Sequence, residues 1–205
     1  MNFDPVADYQ QTIMKKISIQ IQPSDTVLDL GCGRGDNALL IARTAQQVIA
    51  VDIKPWKEWK RKSPSNLIFR QANAAKLQFH NAYFDIVFTK DTLHHVTDVD
   101  RVLKEIKRVT KKNGTIFIVE ANRYNPIFFV HMTKMLGHEH FSRSTFKNMI
   151  LKHFQTVTFK HAETRVYPIR SKFGTDLLHS FETIIEKIPI VNYFSTYNIA
   201  VIKNS

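Results

Sequence analysis

Apolar positions along this chain switch between two periods. Short β-branched runs such as Val27-Leu28, Val48-Ile49-Ala50-Val51 and Ile86-Val87-Phe88 read as buried strands. Between them, apolar residues recur at helical spacing, as in Val99, Val102, Leu103, Ile106 and Val109. Read from the start, the pattern predicts a helix from Tyr9 to Ile21, carried by Ile13, Ile17 and Ile21 and ended by Pro23. There follow strand 27–30, helix 36–45, strand 48–52, a helical or loop piece over 55–62, strand 66–70, strand 84–89, helix 98–110 and strand 115–120. Beyond Arg123 come an apolar, aromatic, methionine-bearing stretch from Pro126 to Gly137 and a helix to Leu151 that Ser142 or Ser144 could cap. Then follow strand 156–159, a helix from Phe181 to Ile188 ended by Pro189, and a final strand 198–202. Strands alternating with helices predict an α/β fold, a mostly parallel sheet with helices on both faces. Ligands of such sheets bind beyond the carboxyl ends of the strands, where Asp29, Asp52, Asn73, Lys90 and Glu120 fall.

That placement gives meaning to Val27-Leu28-Asp29-Leu30-Gly31-Cys32-Gly33-Arg34-Gly35. A buried strand runs into alternating glycines and then a helix. Glycine permits positive φ and close approach of a ligand, and the N–H groups at the junction favour a polar or anionic group. The next strand ends at Asp52, whose carboxylate can hold two ribose hydroxyls. A P-loop would need a lysine after the last glycine, where Asp36 stands. A dinucleotide fingerprint would also need glycine at that position. Asp29 would repel a pyrophosphate but suits a ligand carrying an amine. S-adenosylmethionine has an amine, a sulfonium and a ribose, and no phosphate.

Four blocks together resemble the class I methyltransferases that use S-adenosylmethionine, in particular the small-molecule, type 11-like branch. They are Val27–Gly35, Val48–Ile53, Phe69–Leu77, and Phe84–Phe88 continuing through Leu93-His94-His95-Val96, within residues 24–122. The resemblance implies a Rossmann-like, seven-stranded sheet with an antiparallel last strand. It implies that Asp29 faces the methionine amine, that Gly31, Cys32 and Gly33 lie under the methionine moiety, and that Gly35 helps the turn into the helix. Asp52 would bind the ribose hydroxyls, Ile53 would pack on adenine, and Ala74 would offer a backbone N–H to the ring. Lys90 would lend a backbone carbonyl to the amine. Asn73 stands where the family usually has Asp facing the adenine amino group; its amide oxygen can still accept that hydrogen bond. The N-terminal helix within residues 1–23 would cover the cofactor, and 123–152 would form a substrate lid. Residues 153–205 would complete one domain spanning 1–205.

Methyl transfer from a sulfonium needs chiefly alignment, and a base only where the acceptor must lose a proton. In the resembling family the loop after the fourth strand faces the acceptor, making His94, His95 and Asp91 the candidate catalytic residues. At most one of the adjacent histidines is expected to point into the site, the plain alternative being a locally packed His95 and an exposed His94. His138-Glu139-His140 lacks the spacing of a helical metal site, and Cys32 has no visible base to make it a nucleophile.

Composition bounds the picture without sharpening it. The 205 residues are 43% hydrophobic, enough for a full core. One cysteine, no apparent leader and no long apolar run predict a cytoplasmic protein without a membrane span. The net charge of +11 is spread along the chain, which reads as a solvated surface but leaves room for RNA or weak peripheral membrane contact. Trp56 and Trp59 among Lys54, Lys57, Lys60, Arg61 and Lys62 are the best candidate contact for an anionic partner. The expected substrate is a small or lipid-like acceptor, the apolar residues of 126–137 favouring the latter. An RNA methyltransferase is an alternative, weakened because Lys90-Asp91-Thr92-Leu93 replaces an N-P-P-[YF]-type tetrapeptide. A non-catalytic protein that keeps the cofactor fold is another, opposed by the intact Asp29 and Asp52.

Overall fold

The computed structural model describes residues 3–126, 129, 130, 134, 137, 139–164, 167 and 171–205. Strands β1 (Thr26–Leu30), β2 (Gln47–Asp52), β3 (Leu67–Gln71), β4 (Phe84–Lys90), β5 (Thr110–Ala121), β6 (Val157–Ala162) and β7 (Tyr197–Lys203) form a seven-stranded sheet in the order β3-β2-β1-β4-β5-β7-β6. The first five strands run parallel, and β7 is antiparallel to both β5 and β6. Chain order reverses between β1 and β4, which opens a crevice at the carboxyl ends of those two strands.

Helices cover both sheet faces, which explains why the strands read as continuous apolar runs rather than alternating ones. Val27, Val48, Ala50, Phe88 and Val119 pack with α1 (Pro5–Lys16) and α2 (Asp36–Ile41). Leu28, Leu30, Ile49, Val87 and Ile118 pack with α3 (Val99–Val109) and α4 (Arg143–Leu151). Each fully buried Val, Leu, Ile or Phe among them contributes roughly 1.5–3 kcal/mol. Two further helices, α5 (Lys172–Ile185) and α6 (Pro189–Tyr193), precede β7. Among the described residues no helix is long and apolar enough to cross a membrane.

Several element boundaries differ from the periodicity, each for a local reason. α1 starts at Pro5 because Asp4 accepts the Val6 amide at 2.9 Å and Pro5 occupies the first turn. It ends at Lys16, not Ile21, since Ser18 takes φ +58. Ile17 remains fully buried and Ile19 and Ile21 pack on the core without being helical, so their spacing records burial rather than a helix. α2 stops at Ile41, short of the expected residue 45. The 55–62 piece contains a 3-10 turn at Lys57–Lys60. α5 begins at Lys172, well before Phe181, with Ser171 capping the Gly174 amide, and Pro189 opens α6 instead of merely closing a helix. Ser142, not Ser144, caps α4 by accepting the Thr145 amide at 3.1 Å.

The basic face of α3 is partly structural. Arg108 donates to Glu105 and to the carbonyls of Leu77 and Phe79, and Lys107 donates to the His153 carbonyl. Of the expected lid, residues 127, 128, 131–133, 135, 136 and 138 lie outside the described residues.

Candidate active site

The loop after β1 is held from three sides. The Gly31 and Cys32 amides donate to the Val51 carbonyl at 2.8 and 2.9 Å, tying the loop to β2. Gly31 has φ +74, and a Cβ there would lie 2.1 Å from Thr92 Oγ1, so the turn after β4 presses directly onto it. The Gly33 amide donates to Asp52 Oδ2 at 2.9 Å, while the Gly33 carbonyl accepts the Trp59 indole N–H at 2.8 Å. Gly35, at φ +82, lies against the Phe69 ring, which Trp59 stacks on at 5.2 Å between centroids. Trp59 is therefore a latch on the loop.

A cavity of about 590 Å³ opens over this loop, within the range of small-molecule sites. Gly31, Gly33, Asp52, Ile53, Asn73, Ala74, Asp91 and His95 all reach it, together with Trp56, so most of the residues singled out from the sequence are brought to one place. Ile53 is 61% exposed there, an apolar side chain left open to the cleft. Asp52 Oδ1 accepts the Lys54 amide at 3.4 Å, and its two oxygens keep lone pairs for further donors. Asn73 Oδ1 already accepts the Ala75 amide at 2.8 Å, so its first role is to shape the turn that presents Ala74.

Asp29 is 1% exposed. Burial, and then the nearby Asp52 charge, push its carboxyl up to about 7. Its Oδ2 makes no hydrogen bond to the described residues. An orphaned buried acceptor is costly unless a donor arrives, and a cationic amine at the end of β1 would supply one. The glycine cradle, the open Asp52 and this unsatisfied oxygen fit an amino-acid-bearing nucleoside. Cys32 is buried beside the same two carboxylates; burial, then Asp29 and Asp52, push its thiol up and keep it protonated, which excludes a nucleophile.

The end of β4 carries contacts that the sequence did not show. The Lys90 carbonyl, assigned above to the ligand amine, accepts the Thr92 hydroxyl at 3.0 Å. The Lys90 ammonium pairs with Asp91 and lies 5.2 and 4.9 Å from the ring centres of Tyr9 and Tyr197. Burial alone would lower its pKa, but the Asp91 charge and the two phenols hold it well above the usual lysine value. Asp91, at φ +51, pairs with that cation through Oδ2, while its Oδ1 makes no hydrogen bond to the described residues.

The histidines are the reverse of the plain alternative. His95 is exposed and lines the first cavity, whereas the His94 side chain is 3% exposed and lines a second cavity of about 480 Å³. The cause is Glu120, fully buried at the end of β5. Its Oε1 accepts the Thr92 and Leu93 amides at 2.9 and 2.7 Å, and its Oε2 pairs with His94 Nδ1 at 2.7 Å. Sequence reasoning placed Glu120 at a strand end but gave it no task; the signal was a lone acid closing the apolar run Ile116–Val119. Of the His138-Glu139-His140 cluster, His138 lies outside the described residues, and Glu139 and His140 border the second cavity.

Residues 28–118 match the family model of a methyltransferase domain. The chain is 35% identical over 129 residues to a 2-phytyl-1,4-naphtoquinone methyltransferase of Nostoc sp., a match covering 57% of this chain and 56% of that protein. It is 34% identical over 117 residues to a ubiquinone/menaquinone biosynthesis C-methyltransferase of Vibrio vulnificus, covering 52% and 44%. The chain thus spans about half the length of these relatives. Among solved structures it is similar in fold to one of a complex between the Haloferax volcanii Trm112 methyltransferase activator and a methyltransferase. That match has a TM-score of 0.72 at 17% identity, covering 96% of this chain and 89% of the other.

Proposed function

The chain carries a class I S-adenosylmethionine-dependent methyltransferase domain, and from that premise we propose that it transfers a methyl group to a small, ring-bearing acceptor of the quinone type. When bound, S-adenosylmethionine supplies the activated methyl. Asp29 receives the methionine amine, Asp52 the ribose hydroxyls, and the Gly31–Gly33 backbone lies along the methionine moiety. Ile53 and Ala74 flank adenine, with Gly35 and Asn73 shaping the two turns. The protein's contribution is alignment, and the triple anchoring of the loop supplies it by removing the freedom that would otherwise be lost on binding.

The observation that carries this reading is the unsatisfied oxygen of buried Asp29 beside the open Asp52. The acceptor class is supported by the two relatives named above. Calorimetric titration with S-adenosylmethionine and S-adenosylhomocysteine tests the cofactor. Saturable binding that Asp52→Ala reduces at least tenfold is expected, and equal affinity in that variant would refute the site. Transfer of labelled methyl to reduced 1,4-naphthoquinones, and not to simple amines, tests the acceptor class.

A further inference from the structure

The turn Leu93–His95 stands where two cavities meet at Val96. His95 belongs to the wall of the first and His94 to the wall of the second, their ring centres 4.0 Å apart, and Val96 borders both. The second cavity is bounded by rings, Tyr124 and Phe141, and by polar groups, Arg123, Glu139, His140, Ser142 and Thr145. It is therefore neither a purely apolar tunnel nor an open basic groove. A flat ring bearing an oxygen suits it in size and polarity.

His94 is fixed within that wall. Its Nδ1 is committed to Glu120 Oε2 at 2.7 Å, which makes Nε2 the nitrogen that takes up a proton. Among the described residues, the groups acting on the imidazole include Glu120 from β5, Asp91 and Lys90 at the end of β4, and the rings of His95 and His140. Burial lowers its basicity, but the Glu120 hydrogen bond and charge, followed by Asp91, outweigh burial and Lys90 and raise it above ordinary histidine. A buried carboxylate orienting an imidazole beside a cavity is a base with its orientation already set.

We propose that the second cavity binds the methyl acceptor as a ring hydroxyl compound (phenol, naphthol or quinol) whose hydroxyl proton passes to His94, with Glu120 as the positioning residue. This rests on the cofactor reading above. The O–H bond breaks, the proton goes to Nε2 and the electron pair stays on the ring system. That pair forms the new bond to the methyl carbon, at oxygen or at a conjugated ring carbon, while the carbon–sulfur bond breaks and its pair returns to sulfur. After attack at carbon, the ring C–H proton moves to the ring oxygen and restores the hydroxyl. His94 is left as imidazolium against Glu120.

The test uses the full chain saturated with S-adenosylhomocysteine, so that the first cavity is filled. The probe is 2-hydroxy-1,4-naphthoquinone, whose ring hydroxyl ionises with a colour change. Wild-type protein is expected to bind one probe as its coloured anion, and to lose it as pH rises and the imidazolium deprotonates. In Glu120→Gln that loss moves to lower pH, a readout that a purely structural role for Glu120 would leave in place. His94→Gln weakens probe binding at least tenfold with S-adenosylhomocysteine affinity within twofold. Thr145→Trp, at an exposed position that fills the cavity, abolishes probe binding whether or not the histidine variant folds. Failure of S-adenosylhomocysteine to bind overturns the cofactor reading and this proposal with it. Its binding without any uptake of the probe, or uptake unchanged in Thr145→Trp or in folded His94→Gln, overturns the acceptor site alone.

Discussion

The indole nitrogen of Trp59 donates to the carbonyl of Gly33 at 2.8 Å, while the amide of the same glycine is held by Asp52. A residue from the segment after β2 thus fixes, together with Asp52, the two peptide planes that flank Gly33 under the first cavity. Trp59→Phe keeps an aromatic ring beside Phe69 but removes this donor. Affinity for S-adenosylhomocysteine is expected to fall about three- to tenfold, the size of one neutral hydrogen bond of about 1 kcal/mol. Calorimetry reads this directly; unchanged affinity with a lowered melting temperature would assign Trp59 to core packing instead.

Asp29 gives a pH dependence of definite sign. Its carboxyl sits at about 7 in the folded protein against 3.8 as the ordinary value. The folded state therefore holds a proton that the unfolded chain has released, and ligand-free stability declines as pH rises through this window. The loss is on the order of a few kcal/mol. Asp29→Asn should flatten the melting temperature between pH 4 and about 7, and should weaken S-adenosylmethionine binding at least tenfold because the amine loses its carboxylate. A wild-type melting curve indifferent to pH in that window would refute the assignment.

Gly31 and Thr92 are predicted to be energetically coupled. Gly31→Ala places a methyl against Thr92 Oγ1 and forces alanine to φ +74, so a destabilisation above about 2 kcal/mol is expected. Adding Thr92→Ala removes the Oγ1 and Cγ2 contacts but leaves the Thr92 Cβ 2.8 Å from the new methyl and the backbone strain in place, so only part of the loss is recovered. Urea unfolding of the four proteins gives the coupling; additive effects would contradict the close packing.

Lys90 is predicted to act through its side chain. Lys90→Met leaves the partly exposed Asp91 without its cation beside Tyr9 and Tyr197, at a cost of about 1–3 kcal/mol. The double variant Lys90→Met, Asp91→Asn should recover much of this, as thermal denaturation would show. A single variant as stable as wild type would argue that the ammonium is dispensable.

The sheet and the glycine loop were legible in the sequence because their determinants are local. A β-branched run buried on both faces looks the same in any context, and glycines at positive φ are written into the chain where they are used. What the sequence hid was decided by partners far along the chain. Which of two adjacent histidines turns inward depends on Glu120, 26 residues beyond His94. The fate of the Lys90 ammonium depends on Tyr9 and Tyr197, at opposite ends of the chain. The apolar spacing of Ile13, Ile17 and Ile21 was read as one helix because burial and helicity share a signal until a residue such as Ser18 breaks the backbone. Pro189 was read as a terminator although proline serves equally well as an opener.

Thr92 packs on Gly31, its amide is held by Glu120, and Glu120 holds His94. These contacts run without a gap from the floor of one cavity to the wall of the other. Guests seated on either side of these contacts are expected to sense one another. Whatever factor the first changes in the dissociation constant of the second, the second returns to the first, so order of addition should alter the rate of assembly but never its final extent.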